Sequence, residues 1–307
     1  MITSIRTRIG RMGLSQAAKA SGFRFFQRLG LHVVPRHFYA PVPDTRTIPE
    51  DFWRTESELT GIEMKRENQL RLLEEFGARY KDEYERFPKD KPPSSDQFYL
   101  ANGLFGCVDA EMLYCMIRHF KPRVVTEIGS GNSTLLSAQA VLKNQSDTGC
   151  PAELVAIEPH PNNTLKKGFP GLTRLVASPV QAIGLAEFER LAENDILFID
   201  SSHVLKVASD VQYEYLEILP RLKPGVIVHF HDIFLPLPYP RDWVLDGLRF
   251  WNEQYLLQAF LTFNKAFEVL WAGSYMNLTC PDQLQAAFSH YERGRTMPGS
   301  FWVRKTS

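Results

Sequence analysis

The chain has 307 residues, 44% of them hydrophobic and 23% charged, an ordinary globular composition and enough length for one large α/β domain plus a further segment. Lysine plus arginine equals aspartate plus glutamate at 35 each, a balance that argues against a dedicated nucleic-acid binder, whose surface is net basic. The absence of any run of about 18 apolar residues argues against a transmembrane helix. The four cysteines (Cys107, Cys115, Cys150 and Cys280) show neither C-x-x-C nor zinc-ligand spacing, so reduced, mostly buried thiols and a cytoplasmic location are expected.

Residues 1–43 contain no acid but carry Arg6, Arg8, Arg11, Lys19, Arg24, Arg28 and Arg36. They lack the apolar core of a secretory signal. Such a basic arm suits peripheral contact with a membrane, an anionic partner or a neighbouring subunit of a homo-oligomer. A surface helix balanced by the acidic stretch that follows, or an organelle transit peptide, are the other readings. Residues 1–100 as a whole read as a helical N-terminal extension, with 101–307 as the main domain. Within the extension, Leu70, Leu73, Tyr80 and Tyr84 recur at helical spacing, predicting a helix inside about 55–86. Pro92-Pro93-Ser94-Ser95-Asp96 then breaks the chain. Asp109 is placed to cap a helix that runs to about Phe120.

From residue 121 strands and helices alternate. Arg123–Ile128, Leu154–Ile157, Arg174–Ala177, Asp195–Asp200 and Val226–Phe230 read as strands. Ser133–Lys143, Gln181–Ala192 and Val207–Leu222 read as helices, and Gln145–Pro151 as an inserted loop. This alternation indicates a parallel, doubly wound α/β sheet whose buried strands are continuously apolar. Phe267–Trp271 and Ser300–Arg304 are two further strand candidates, with one helix between them around Pro281–Tyr291. Trp243, Trp251 and Tyr255 stand at helical spacing and read as packing. Phe234–Trp243, rich in proline, is a lid, an acceptor wall or a rigid connector.

The first strand ends in Glu127-Ile128-Gly129-Ser130-Gly131-Asn132-Ser133-Thr134. Glycines let backbone amides approach a bulky ligand, and the following helix offers its N–H groups to an anion. A dinucleotide fingerprint would need glycine at position 134; threonine there favours S-adenosylmethionine, whose carboxylate would meet the helix and whose amino group would meet Glu127. Glu158 closes the second strand, where a carboxylate can hold both ribose hydroxyls.

With Asp195–His203 and Leu222–Asp232, these features make residues 121–234 resemble the class I S-adenosylmethionine-dependent methyltransferases, in the branch near catechol-type and macrolide-sugar O-methyltransferases. The resemblance implies a Rossmann-like seven-stranded sheet with an antiparallel last strand, filled here by Gly299–Val303. It implies a cofactor site of Glu127, Gly129, Ser130, Gly131, Asn132, Ser133, Glu158 and Asp200, with Ser178 and Val180 near the adenine.

Asp200-Ser201-Ser202-His203 follows the fourth strand and His229-Phe230-His231-Asp232 ends the fifth. Neighbouring strands of such a sheet deliver their C-terminal ends to one crevice. Two chemistries fit. His203 or His231 could act as general base on a hydroxyl, with Asp232 beside it, since an imidazole titrates near neutrality. Alternatively, as resemblance to metal-dependent O-methyltransferases implies, Asp200, His231 and Asp232 would bind a divalent metal that acidifies the hydroxyl. An imidazole in the set shifts preference from magnesium toward manganese, iron or zinc. The expected function is O-methylation of a small-molecule acceptor, a sugar or secondary metabolite. A non-methylating binding or assembly protein on the same fold and a nucleotide-dependent oxidoreductase are the alternatives. A nucleic-acid amine methyltransferase would carry Asn/Asp-Pro-Pro-aromatic where this chain has Asp200-Ser201-Ser202-His203.

Overall fold

A computed structural model describes residues 20–34 and 39–307. Contacts divide the chain into two compact units, residues 1–49 and 50–307. In the first, residues 20–28 are helical, and a short turn at Thr45–Thr47 is capped by Asp44, which also pairs with Arg46 at 2.9 Å. The expected contacts of Arg6, Arg8, Arg11, Lys19 and Arg36 lie outside the described residues.

The second unit is built on one seven-stranded sheet in the order β3-β2-β1-β4-β5-β7-β6. Its strands are β1 (Val124–Ile128), β2 (Glu153–Ile157), β3 (Arg174–Val176), β4 (Ile196–Ile199), β5 (Ile227–Phe230), β6 (Phe267–Ala272) and β7 (Phe301–Lys305). β1 to β5 pair in parallel, whereas β7 is antiparallel to both β5 and β6. All seven predicted strands form, and the reversed strand lies where the resemblance implied. The order reverses beside β1, so the C-terminal ends of β1 and β4 open a crevice between them. Asp195 fixes the opposite end: its carboxylate accepts the N–H groups of Arg123, Val124 and Ala192 at 2.9–3.0 Å.

One apolar layer packs each face of the sheet. On one side the helices Arg66–Tyr84, Asp109–Phe120 and Asn132–Thr148 cover Val125, Leu154 and Phe198; on the other, Phe188, Val211, Tyr215 and Leu257 cover Val155, Leu197 and Val228. The predicted stripe of the first helix is buried at Leu73, Tyr80 and Tyr84, with Phe76 between them. That helix joins its neighbours through Arg118, which pairs with Glu83 at 2.8 Å and Asp147 at 2.6 Å and also donates to Asn144.

Several local expectations are corrected. Gln145–Pro151 is not a loop insertion: the helix continues to Thr148 and ends at left-handed Gly149, a common C-terminal signal. Gln181–Ala192 forms only a turn at Val180–Ala182 and four helical residues at Ala186–Glu189, with Gly184 between them. The helix predicted from Val207 begins at Asp210, where the Ser209 hydroxyl accepts from the Gln212 N–H, and it widens into a π turn at Glu214–Ile218. Two helices, Gly273–Thr279 and Pro281–Ala287, stand where one was expected. Trp243 and Tyr255 sit on separate helices, Arg241–Leu245 and Glu253–Leu261, with Trp251 between them. Of the cysteines, Cys115 and Cys280 are buried and Cys150 is exposed; all four are free.

Candidate active site

β1 ends at Ile128, and the next residue must turn the chain against the end of β4. Gly129 does so at φ +77°, where a Cβ would stand 1.7 Å from the Asp200 carbonyl oxygen. Its N–H donates to the Ile157 carbonyl at 2.9 Å, while the Asp200 N–H donates to Ile128 at 2.8 Å. Gly131 differs, because a Cβ there would meet no atom within 4 Å. The first glycine is demanded by the protein itself; the second keeps space free at the start of helix Asn132–Thr148.

A crevice of about 600 Å³ opens at this point. Gly129 and Ile128 floor it, Glu158 and His160 line the β2 side, Val180 and Gln181 follow β3, and Asp200, Ser201 and Ser202 close the β4 side. The Glu158 carboxylate is presented by the N–H groups of His160 at 2.7 Å and Ser130 at 3.3 Å. Of the expected cofactor residues, Gly129, Glu158 and Asp200 line the crevice, whereas Glu127, Ser130, Gly131, Asn132, Ser133 and Ser178 do not. The Ser178 N–H donates to the Val176 carbonyl in a turn, while Val180, also expected near the adenine, lines the crevice beside Gln181. Glu127 is wholly buried; one oxygen accepts from Ser137 at 2.5 Å and the other has no partner. Burial drives its carboxyl up to about 7 against the opposing pull of the Ser137 and Thr134 hydroxyls. That unpartnered oxygen suits a cationic amino group reached through a water.

The histidines and aspartates converge as expected. Asp200, His231 and Asp232 each offer a ligand atom within 4.8 Å of the others. His203 Nε2 lies 3.3 Å from Asp200 and 3.5 Å from Asp232. His231 Nδ1 lies 3.6 Å from each of the same two carboxylates. His203 and Asp232 both hold left-handed backbones, at φ +58° and +55°, a cost of about 1–3 kcal/mol each that surrounding contacts must offset. For His203 those contacts come from residues absent from the expected set. Its Nδ1–H donates to buried Glu253 at 2.9 Å, and its carbonyl accepts from the Asn252 and Glu253 N–H groups. Trp251 lies over the ring at 4.4 Å.

Charge follows from this geometry. Burial works against ionising His203, but the Asp200 and Glu253 carboxylates outweigh it and push the ring up to about 10. His231 is likewise buried, and Asp232 and Asp200 hold it well above its ordinary value. Asp200 lies far below the usual carboxylate range: burial opposes this, and the two histidines overcome it. The surrounding carboxylates thus favour the charged form of both rings. Burial pulls His229 well below its ordinary value; it is stacked 4.1 Å from Phe198 with Nε2 3.1 Å from Ser300 and is a packing residue on the same side of β5.

A second cleft, of about 440 Å³, lies beyond the cluster. Asp109, His231 and Asp232 provide its polar wall, and Leu104, Phe234, Trp243 and Met297 its apolar one. Asp109 does not cap its helix as expected. Glu111 accepts the Val108 N–H instead, and the Asp109 carboxylate accepts the N–H groups of Gly299 and Ser300 at 2.9 and 3.0 Å while lying 3.6 Å from His231. Asp109 and Glu253 are invisible as site residues in sequence, since each reaches the cluster from a helix far along the chain. Phe234 and Trp243 were foreshadowed by the proline-rich run after β5.

Comparison with known proteins agrees with this frame. A family described as "Methyltransferase domain" matches residues 126–233, the span from β1 to just past β5. An uncharacterized protein of Archaeoglobus fulgidus is 34% identical over 169 residues, covering 53% of this chain and 75% of that protein. Among solved structures, the apo form of a TDP-rhamnose 3'-O-methyltransferase of calicheamicin biosynthesis aligns over 78% of this chain and 93% of its own, at 14% identity and a TM-score of 0.38. The match spans the strands whose ends open the first crevice, so residues 126–233 are similar to a methyltransferase domain.

Proposed function

We propose that this protein methylates a hydroxyl of a small molecule, a sugar or secondary metabolite, using S-adenosylmethionine. One observation carries the reading: Asp200 borders the nucleotide-sized crevice, His231 and Asp232 border the second cleft, and their ligand atoms lie within 4.8 Å of one another. The cluster thus stands where the two clefts adjoin. S-adenosylmethionine supplies an electrophilic methyl group when bound. Glu158 would hold its ribose hydroxyls and Val180 and Gln181 would flank its base, while Glu127 is the buried partner for its amino group. Trp243 and Phe234 give the acceptor a flat apolar wall, and Asp232 is the carboxylate available to take the hydroxyl proton.

The same three residues also suit a divalent cation. Two carboxylates and one imidazole form a mixed oxygen and nitrogen set that favours manganese, iron or zinc over magnesium. There the ion would lower the pKa of the acceptor hydroxyl, and elemental analysis of protein purified without chelator tests for it. Calorimetry with S-adenosylhomocysteine tests the cofactor reading: Gly131→Arg should abolish binding, and unchanged affinity would sink it. A radiolabelled-methyl screen of glycosides and phenols tests the acceptor. His231→Ala and Asp232→Ala should each lose transfer yet keep S-adenosylhomocysteine affinity within about twofold. Binding of a nicotinamide dinucleotide instead would favour an oxidoreductase.

A further inference from the structure

The first 43 residues concentrate charge of one sign. They carry seven arginines and lysines and no acid, so the rest of the chain holds 28 basic and 35 acidic residues, a net charge of −7. Within this arm, helical residues 20–28 place Arg24 and Arg28 one turn apart, both exposed. Neither has an ion-pair partner among the described residues. On the adjoining face Phe25 and Leu29, also one turn apart, are 59% and 61% exposed, and Leu31, Val33 and Val34 continue as exposed apolar residues directly after the helix. Five large apolar side chains in ten residues is a concentration that water disfavours, and here it stands beside unpaired guanidinium groups.

Each half of this pattern narrows the partner. A nucleic-acid surface would use the arginines but offers nothing to Leu31, Val33 and Val34. An apolar protein groove would bury the phenylalanine and leucine but gains nothing from seven cations. A bilayer with anionic headgroups satisfies both, because basic residues meet the headgroup charge while apolar ones enter the acyl boundary. No helix among the described residues is long and apolar enough to cross a membrane, so contact of this kind lies in the interface plane. We propose that residues 20–34 dock this protein peripherally on an anionic lipid surface. The lipid contact is independent of the chemistry proposed above.

The test is sedimentation of the full-length protein with phosphatidylcholine vesicles, with and without phosphatidylserine. Partitioning should require phosphatidylserine and weaken as salt screens the charge. Arg24→Glu with Arg28→Glu should lower it by about a thousandfold, because each reversal changes the charge by two units. Phe25→Ser with Leu29→Ser should lower it by about tenfold. Both variants should keep wild-type affinity for S-adenosylhomocysteine, which shows that the domain is intact. Equal partitioning to both vesicle types, no response to either double substitution, or tighter binding to polyuridylic acid than to vesicles would overturn the proposal.

Discussion

Gly129→Ala probes the join between β1 and β4 directly. The new Cβ would lie 1.7 Å from the Asp200 carbonyl oxygen, so that carbonyl must retreat by on the order of 1.5 Å to reach ordinary contact. Retreat breaks or stretches two hydrogen bonds, Asp200 to Ile128 at 2.8 Å and Gly129 to Ile157 at 2.9 Å, each worth about 1 kcal/mol. Holding alanine at φ +77° adds about 1–2 kcal/mol. The sum, about 3–4 kcal/mol, corresponds to a fall in Tm of about 10 °C for a domain of this size. Because Asp200 borders the crevice, S-adenosylhomocysteine affinity should fall with it, by about tenfold or more. Gly131→Ala is the control: its Cβ meets nothing within 4 Å, so Tm should stay within about 1 °C. Differential scanning fluorimetry with calorimetry on both variants decides the matter. A Gly129→Ala protein that melts with the wild type would refute the tight apposition of the two strand ends.

Other residues make separable predictions. Glu127 holds its proton to about pH 7 when folded, against 4.5 as its ordinary value. The folded state therefore keeps a proton that the unfolded state has released, and stability falls as pH rises from about 4.5 to 7. Glu127→Gln should remove that dependence and, at pH 8, stabilise the ligand-free protein by about 1–3 kcal/mol in urea titrations while weakening cofactor binding; parallel pH profiles for both proteins would contradict this. Arg118→Ala leaves Glu83, Asp147 and Asn144 without their shared partner. Partial exposure of the two acids limits the loss to about 2–3 kcal/mol, readable as a lower denaturation midpoint with cofactor affinity unchanged. Glu253→Ala strips buried His203 of its 2.9 Å partner and should cost about 3 kcal/mol, with Glu253→Gln recovering much of it through the retained acceptor; equal stability of the two variants would rule out that bond as the brace of the turn.

The sheet was legible in the sequence because its strands are short β-branched runs buried on both faces, a pattern that survives without context. Glycine punctuation was legible for the same local reason, and it placed Gly129, Glu158 and Asp200 at one crevice. What the sequence concealed depends on distance along the chain. Asp109 looks like a helix cap until Gly299 and Ser300 arrive some 190 residues later to claim its carboxylate. Glu253 looks like a first-turn acid of an amphipathic helix until His203 is seen against it. Helix lengths failed where periodicity ran across a glycine, as at Gly184, or where polar residues such as Gln145–Thr148 continued a helix without an apolar stripe. The upward pull on His203 and His231 was likewise hidden, because it comes from carboxylates contributed by other elements.

The position of β7 bears on how the molecule comes into being. β7 follows β6 in the chain yet lies between β6 and β5, pairing with both. Until residues 301–305 arrive, β6 and the helices around it have no strand against which to form a ladder, and the β5 edge stays open. The contacts that close the sheet span more than 70 residues, from His229 to Trp302, and such long-range pairing slows folding because loop entropy is spent first. A nascent chain would thus expose the apolar flank of β5 throughout synthesis of the segment after it, a window in which chaperone capture competes with folding. Loss of a few residues near position 301 would cost the molecule not its last strand alone but the pairing of two others.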